Sequence, residues 1–307
     1  MAVIMWRLWS IKSIKLAKCL KTFDKHKALY YDKGSQIRLP IFDGRKGENV
    51  MQAIILAAGY ATRLKDRAQG RAKALMPIGE KPIINFIIDE LAQVDGLTAV
   101  HVVSNHKFID QFNAWREKAS RKPEYAGIDI HVWDDGTTSN EDRMGAIGDM
   151  LFTIRSAGID DDLFVAAGDN FFTFRLQELV DAFHASGQDT ICATHIADLN
   201  LLHRFAVAVI DEAGTVLDLE EKPAQPKSDL GVYALYVYRR DTLPLIARYL
   251  ELGQPKDAPG NFPAWLCSQD NPLRRPVHAY LFEGECVDIG TPESYDDAVA
   301  RYGVCGF

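Results

Sequence analysis

Four stretches of this chain carry residue types suited to handling phosphate. In segment 51–82 (MQAIILAAGYATRLKDRAQGRAKALMPIGEKP) an apolar run empties into the small-residue loop Ala57-Ala58-Gly59, followed by Thr62, Arg63 and Lys73. Small side chains let a backbone approach an anion, a guanidinium presents a planar fork matched to phosphate oxygens, and an ammonium adds a compact positive charge. The chemistry indicated is a grip on a polyanion. Farther on, Gly168-Asp169-Asn170 follows another apolar run, and Asp288 stands in Val-Asp-Ile-Gly-Thr after a short one. A carboxylate beside a triphosphate suits a hard cation that takes oxygen ligands and keeps several waters. Asp169 and Asp288 are therefore candidate Mg2+ ligands, with ordinary turn chemistry the competing reading of Gly-Asp-Asn. Glu220-Glu221-Lys222-Pro223 ends a strand, and Pro223 stops it so that Lys222 is presented at a loop tip. Alone this is a solvated charge cluster. Beside a phosphate site, Glu221 would bind hydroxyls and Lys222 would neutralise a monophosphate.

Two known glycine-rich phosphate loops do not fit. A dinucleotide fingerprint needs further glycines where Ala61 and Leu64 stand, and the strand at 98–103 ends in Ser104 where an acid would bind ribose. The Gly-Lys-Ser/Thr triplet of ATPase loops is missing from this segment.

The elements that must position these residues follow from periodicity. The run 53–58 reads as a strand buried on both faces, as parallel sheets require, which puts the loop after it at the carboxyl edge where α/β sheets bind ligands. Strands at 98–103, 128–133, 163–167 and 190–194 alternate with helices from Pro82 and over 106–119, 145–157 and 176–186. Past residue 205 come strands at 206–210, 216–220 and 231–238, helices at 242–251 and 260–267, and a strand pair around 277–287. A last helix opens at Thr291, whose role is an N-cap before Pro292. The expected fold is α/β, a Rossmann-like, doubly wound, mostly parallel sheet with a mixed or antiparallel second half. Residues 51–307 form one catalytic domain in which the second half closes over the first.

Charge divides the chain unevenly. Residues 1–50 carry 11 Lys and Arg against 4 Asp and Glu, and the remaining 257 carry 24 against 38. An acidic body argues against nucleic acid as a partner, so phosphate binding must be local. Residues 1–50 are expected to be a basic N-terminal extension outside the catalytic domain, with two competing readings: a basic helix lying on an anionic membrane surface, or Met51 as the natural start. No apolar stretch approaches the roughly 20 residues needed to cross a bilayer. The five cysteines lack paired short spacing and the eight histidines lack metal spacing, which suits a reducing compartment.

Taken together, LAAGYATRL, AKALMPIGEKPII, AAGDN, LEEKPAQPKS with GVYALYVY, and VDIGTPESY resemble the sugar 1-phosphate nucleotidylyltransferase family of the glucose 1-phosphate thymidylyl and uridylyl transferase kind. The order and spacing match from Met51 almost to the C-terminus. The resemblance implies a cytoplasmic enzyme that takes a nucleoside triphosphate and a sugar 1-phosphate and uses Mg2+. It implies that Ala57, Ala58, Gly59, Thr62 and Arg63 bind and position the triphosphate, and that Lys73 acts on the reacting phosphates. Asp169 and Asp288 would hold Mg2+, Glu221 and Lys222 would contact the sugar phosphate, and the second half would bind sugar. Homo-oligomer formation is left open. Two departures stand out. Ala58 and Ala61 replace glycines of the family's GGxGTRL loop, and their methyl groups are tolerable if φ stays negative. The stretch 134–149, DDGTTSNEDRMGAIGD, stands where many relatives carry a proline and Gly-Leu-Ala near the base. Base preference is therefore not transferable, although Gly145 can still mark the helix entrance near the nucleotide. Transfer to a non-sugar phosphate such as phosphocholine, and a non-catalytic regulatory subunit that binds a nucleotide-sugar, are the competing readings.

Overall fold

A computed structural model describes residues 50–303, and the extension expected over 1–50 lies, Val50 apart, outside the described residues. Strand β1 (Met51–Leu56) leads through a one-turn 3-10 segment (Thr62–Leu64) and the short α1 (Lys65–Ala68) to a ribbon of β2 (Pro77–Ile78) and β3 (Lys81–Pro82). Then follow α2 (Ile83–Leu91), β4 (Leu97–Ser104), α3 (Ile109–Ala119), β5 (Asp129–Asp134), α4 (Ala146–Ala157), β6 (Asp162–Ala167), β7 (Asn170–Phe172), α5 (Leu176–Ser186) and β8 (Asp189–His195). The second half comprises β9 (Ala206–Ile210), β10 (Val216–Glu221), β11 (Leu230–Tyr238), α6 (Leu243–Glu251), α7 (Asn261–Cys267), β12 (Val277–Leu281), β13 (Cys286–Asp288) and α8 (Pro292–Tyr302).

Nine strands form one sheet in which β10-β9-β11-β6-β1-β4-β5 are neighbours in that order, while β8 pairs with β11 and carries β12. The strands β6, β1, β4 and β5 are mutually parallel, and β11 runs antiparallel to β6, β8 and β9. The expected fold class is what is observed. Adjacent residues of β1 feed opposite faces: Ala53 and Ile55 join one core with Ile84, Phe112 and Leu179, and Ile54 joins the other with Met150, Ile246 and Phe262. Side chains alternate along a strand, so a strand apolar at every position needs helices on both sides. No helix among the described residues is long and apolar enough to cross a membrane.

Three expectations need correction. β1 ends at Leu56, so Ala57 and Ala58 belong to the loop, although the Ala57 N–H still bonds to the Val103 carbonyl at 3.0 Å. Pro82 is not a helical residue; it is extended (φ −60, ψ 145) and pairs with Pro77 before α2 begins. The strands near 277–287 are not partners: β12 joins β8 in parallel, whereas β13 pairs antiparallel with β7. Gly284 turns the chain between them at φ +120, a conformation side chains rarely adopt.

A third apolar cluster explains why the C-terminal segment serves the first half. Leu64, Met76, Ile78 and Ile83 pack with Phe171, Ile289 and Ala298, and the Tyr295 hydroxyl donates to the Pro77 carbonyl at 2.7 Å. Thr291 caps α8 in a capping box with Ser294, as expected. These contacts hold β13 against β7 and set Asp288 opposite Asn170.

Candidate active site

Four parallel strands end level, because Leu56 is in register with Ala167 and Val103, and Val103 with Trp133. The loops that follow them make one edge, and most of the candidate residues lie on it.

Lys73 is the centre of the arrangement. It opens a 3-10 turn (Lys73–Leu75) that α3 holds in place: Gln111 accepts from the Ala72 N–H at 3.0 Å and donates to the Gly70 carbonyl at 2.9 Å. The ammonium pairs with Asp169 and lies 3.6 Å from Asp288 Oδ1. Burial alone would lower the pKa of Lys73, but Asp169 and then Asp288 outweigh it and raise it. The Asp288 carboxyl is raised by burial and then by Asp169, with Lys73 opposing. Two acids thus converge on one base, and the Ile289 N–H bonds to the Asp169 carbonyl at 3.1 Å to tie the two loops together.

Two cavities flank this cluster. One, of 270 Å³, is lined by Ala57, Ala58, Gly59, Lys73, Gly145 and Asp169 among others. The second, of 340 Å³, is lined by Asp169, Asp288, Arg204, Glu221, Lys222 and Tyr233 among others. Ala167, Asp169 and Pro259 belong to both. Sequence reasoning therefore brought together Ala57, Ala58, Gly59, Gly145, Lys73, Asp169, Asp288, Glu221 and Lys222. Thr62 and Arg63 are exposed and line neither cavity.

The opening loop is fixed from below. Asn105, fully buried, donates to the Ala58 carbonyl at 2.8 Å, and the Tyr60 hydroxyl donates to Thr137 Oγ1 at 3.0 Å. Ala61 corrects the expectation of negative φ: it sits at φ +53, where a methyl group costs about 1–2 kcal/mol. Lys222 is strained likewise at φ +49, which turns the chain at the end of β10. Gly145 precedes α4 at φ +79, and an added Cβ would lie 2.7 Å from the Lys256 carbonyl oxygen.

Several lining residues escaped the sequence reading. Asp135 and Asp149 line the smaller cavity, as do Arg143 and Asp257, which pair through two hydrogen bonds of 3.0 Å. Burial, and then Asp135, push the Asp149 carboxyl up to about 8. Arg204 lines the larger cavity, where a cation just ahead of β9 was the only signal available.

Comparison with known proteins agrees with this geometry. The profile of the nucleotidyl transferase family matches residues 52–303. The UTP–glucose-1-phosphate uridylyltransferase AglF of Haloferax volcanii is 27% identical over 257 residues, covering 82% of this chain and 96% of that protein. A glucose-1-phosphate thymidylyltransferase of Streptomyces antibioticus is 28% identical over 61% of this chain and 49% of its own length. A glucose-1-phosphate adenylyltransferase of Thermomicrobium roseum is 29% identical over 80% of this chain and 58% of its own length. The chain thus spans about half of these last two relatives. Among solved structures, the UTP-bound UGPase of Acinetobacter baumannii superposes with a TM-score of 0.66 at 18% identity, covering 83% of this chain and 94% of that one. With a profile match running from β1 to the end of α8, on a sheet whose carboxyl edge gathers the expected acids and lysine, the chain belongs to the nucleotidyl transferase family.

Proposed function

We propose that this protein joins a nucleoside triphosphate to a sugar 1-phosphate, giving a nucleotide-sugar and pyrophosphate. The observation that carries the reading is the meeting of two cavities at Asp169, with Lys73 between Asp169 and Asp288. The nucleotide takes the cavity beside Gly59 and Gly145, and the sugar phosphate takes the one beside Glu221, Lys222 and Arg204. A phosphate oxygen of the sugar 1-phosphate attacks the α-phosphorus in line. One P–O bond forms as the bond to the bridging oxygen breaks, and pyrophosphate leaves with that electron pair.

No protein nucleophile is needed. Cys286 lines the sugar cavity, but burial holds its thiol neutral, and the Ser294 hydroxyl is engaged in the α8 cap. A phosphate monoester, with a second pKa of about 6, is already largely dianionic at neutral pH and needs no general base. The barrier is mutual repulsion of two polyanions. Lys73 offsets it at the reacting phosphates and Lys222 at the sugar phosphate, while the loop bearing Thr62 and Arg63 is assigned to the outer phosphates of the triphosphate.

The donor set fits Mg2+. Two facing carboxylates share a single ammonium, and among the described residues no group of three or more His, Cys, Asp or Glu is placed to hold a metal by itself. An ion that keeps waters and takes substrate phosphate oxygens needs no more than two carboxylates. Asp169 and Asp288 would hold it, and it would neutralise charge on the leaving group.

The test is pyrophosphate release with Mg2+ across nucleoside triphosphates crossed with sugar 1-phosphates and with phosphocholine. At least one sugar 1-phosphate pair should turn over, and release with phosphocholine alone would sink the sugar assignment. Arg63→Ala should lower kcat/KM by about 10²–10³-fold with an unchanged circular dichroism spectrum, and full activity in that variant would remove Arg63 from the site.

A further inference from the structure

The nucleotide cavity holds more acid than a triphosphate tolerates. Of its acids, Asp169 is paired with Lys73 and Asp257 with Arg143, whereas neither Asp135 nor Asp149 is in an ion pair with a described residue. Both are nearly inaccessible, 5% and 6% exposed. Asp135 Oδ1 accepts from the Thr137 N–H at 2.7 Å and from its hydroxyl at 2.8 Å, while Asp149 Oδ1 has no hydrogen-bond partner. A buried polar atom without a partner is costly to the fold, so a ligand that supplies one is favoured.

Their place in the fold says which part of the nucleotide they meet. The ladder runs past the strand ends through Gly168 N–H to Leu56 (2.9 Å), Ala57 N–H to Val103 (3.0 Å) and Asp135 N–H to Ser104 (2.9 Å). Asp169 therefore lies after β6 and Asp135 after β5, three strand spacings or about 14 Å apart. That is the span from a reacting phosphate to a base, past the ribose. Unpaired carboxyls would repel phosphates, so they belong at the uncharged end.

Resting on the transfer reaction proposed above, we infer that Asp135 and Asp149 read the nucleobase, selecting one with an exocyclic amino group (adenine, guanine or cytosine) over uracil and thymine. Burial and the neighbouring Asp135 keep the proton on Asp149, and Asp135 engages it, so the pair turns acceptors rather than donors toward a ligand. Oxygens free to accept outnumber hydrogens free to donate. An amino group supplies two N–H donors, and a carboxylate accepting from cytosine N4 is a known pairing. Uracil and thymine instead present two carbonyls around a single N–H, which sets oxygen against oxygen. A site built to bond the hydrogens of an amino group strongly rejects an analogue that carries a carbonyl in its place.

Size-matched triphosphates test this: ATP and GTP against ITP, and CTP against UTP. The preferred triphosphate of the cell's set should carry an amino group, and its matched analogue without that group should lose at least tenfold in kcat/KM. Asp135→Asn, which puts an N–H where an acceptor stood, should shrink that ratio at least tenfold. A preference for UTP or dTTP overturns the inference. So does an unchanged ratio in Asp135→Asn, or a change confined to ATP against 2′-deoxy-ATP, which would assign the pair to ribose. If no pair of substrates releases pyrophosphate, the transfer reading fails by itself, and equilibrium binding of the same triphosphates still decides the base.

Discussion

The two cavities are built differently. The cavity proposed for the nucleotide is walled by loops that follow strands: Ala57 to Gly59 after β1, Asp135 after β5, Gly168 and Asp169 after β6. The cavity proposed for the sugar phosphate is walled by strands themselves, with Val232, Tyr233, Ala234 and Tyr236 from β11 and Cys286 to Asp288 from β13. Tyr236 is 2% exposed and belongs to the core. Loops can change residue type with little consequence for packing, whereas a strand residue that faces both ligand and core cannot. On the proposed assignment, the comparison teaches that base preference would be free to drift on this fold while the sugar wall would be tied to stability.

The largest effect should come where the cavities meet. Lys73→Ala should lower kcat by about 10³-fold and weaken both substrates together; a KM change confined to one substrate would break the picture of a shared junction. Next come two glycines, one per cavity. Gly145→Ala meets the Lys256 carbonyl at φ +79, and Gly260→Ala meets the Glu221 carboxylate. The first should raise KM for the triphosphate by about tenfold and leave the sugar phosphate within about twofold, and the second should do the reverse. Steady-state titration of each substrate separates them.

A smaller effect concerns Asp149. Its folded pKa of about 8 lies above the ordinary carboxyl value, so the unfolded chain releases the proton first, and stability falls as pH rises from about 4 to about 8. Asp149→Asn lacks this loss. Its melting temperature relative to the parent should climb through that window, at most by the equivalent of about 1.4 kcal/mol per pH unit, and then level off; a flat difference would contradict a buried protonated acid. The smallest effect is at Ala61. Relief of its positive φ by Ala61→Gly is offset by the greater freedom of glycine in the unfolded chain, so chemical denaturation should change by under about 1 kcal/mol.

Much of this architecture was legible in the sequence, for identifiable reasons. Strands buried on both faces read as continuous apolar runs, so β1, β4, β6 and β11 stood out, and the residues just after them fell at the carboxyl edge by topology alone. Asp169 was placed that way, whereas Lys73, Asp288, Glu221 and Lys222 were singled out by residue type, and the fold sets all five against the two cavities. Asp135 and Asp149 were not, because an acid in a turn and another in the first turns of a helix have sufficient local roles, and only the fold buries them beside each other. The partners of β12 and β13 were missed because strand pairing is non-local, and the turn at Gly284 separates two strands that proximity in sequence had joined. Arg63 illustrates the opposite limit: its type suits phosphate, but a long exposed side chain takes its place from the anion it meets.

Ala167, Asp169 and Pro259 line both chambers, so the two share one wall. On the proposed assignment a nucleotide-sugar would fill them as a single tethered body and surrender its translational freedom once, where the two reactants surrender it twice. The proposed product would then be held more firmly than either half alone, and forward flux would be set by whatever drains pyrophosphate and nucleotide-sugar from solution.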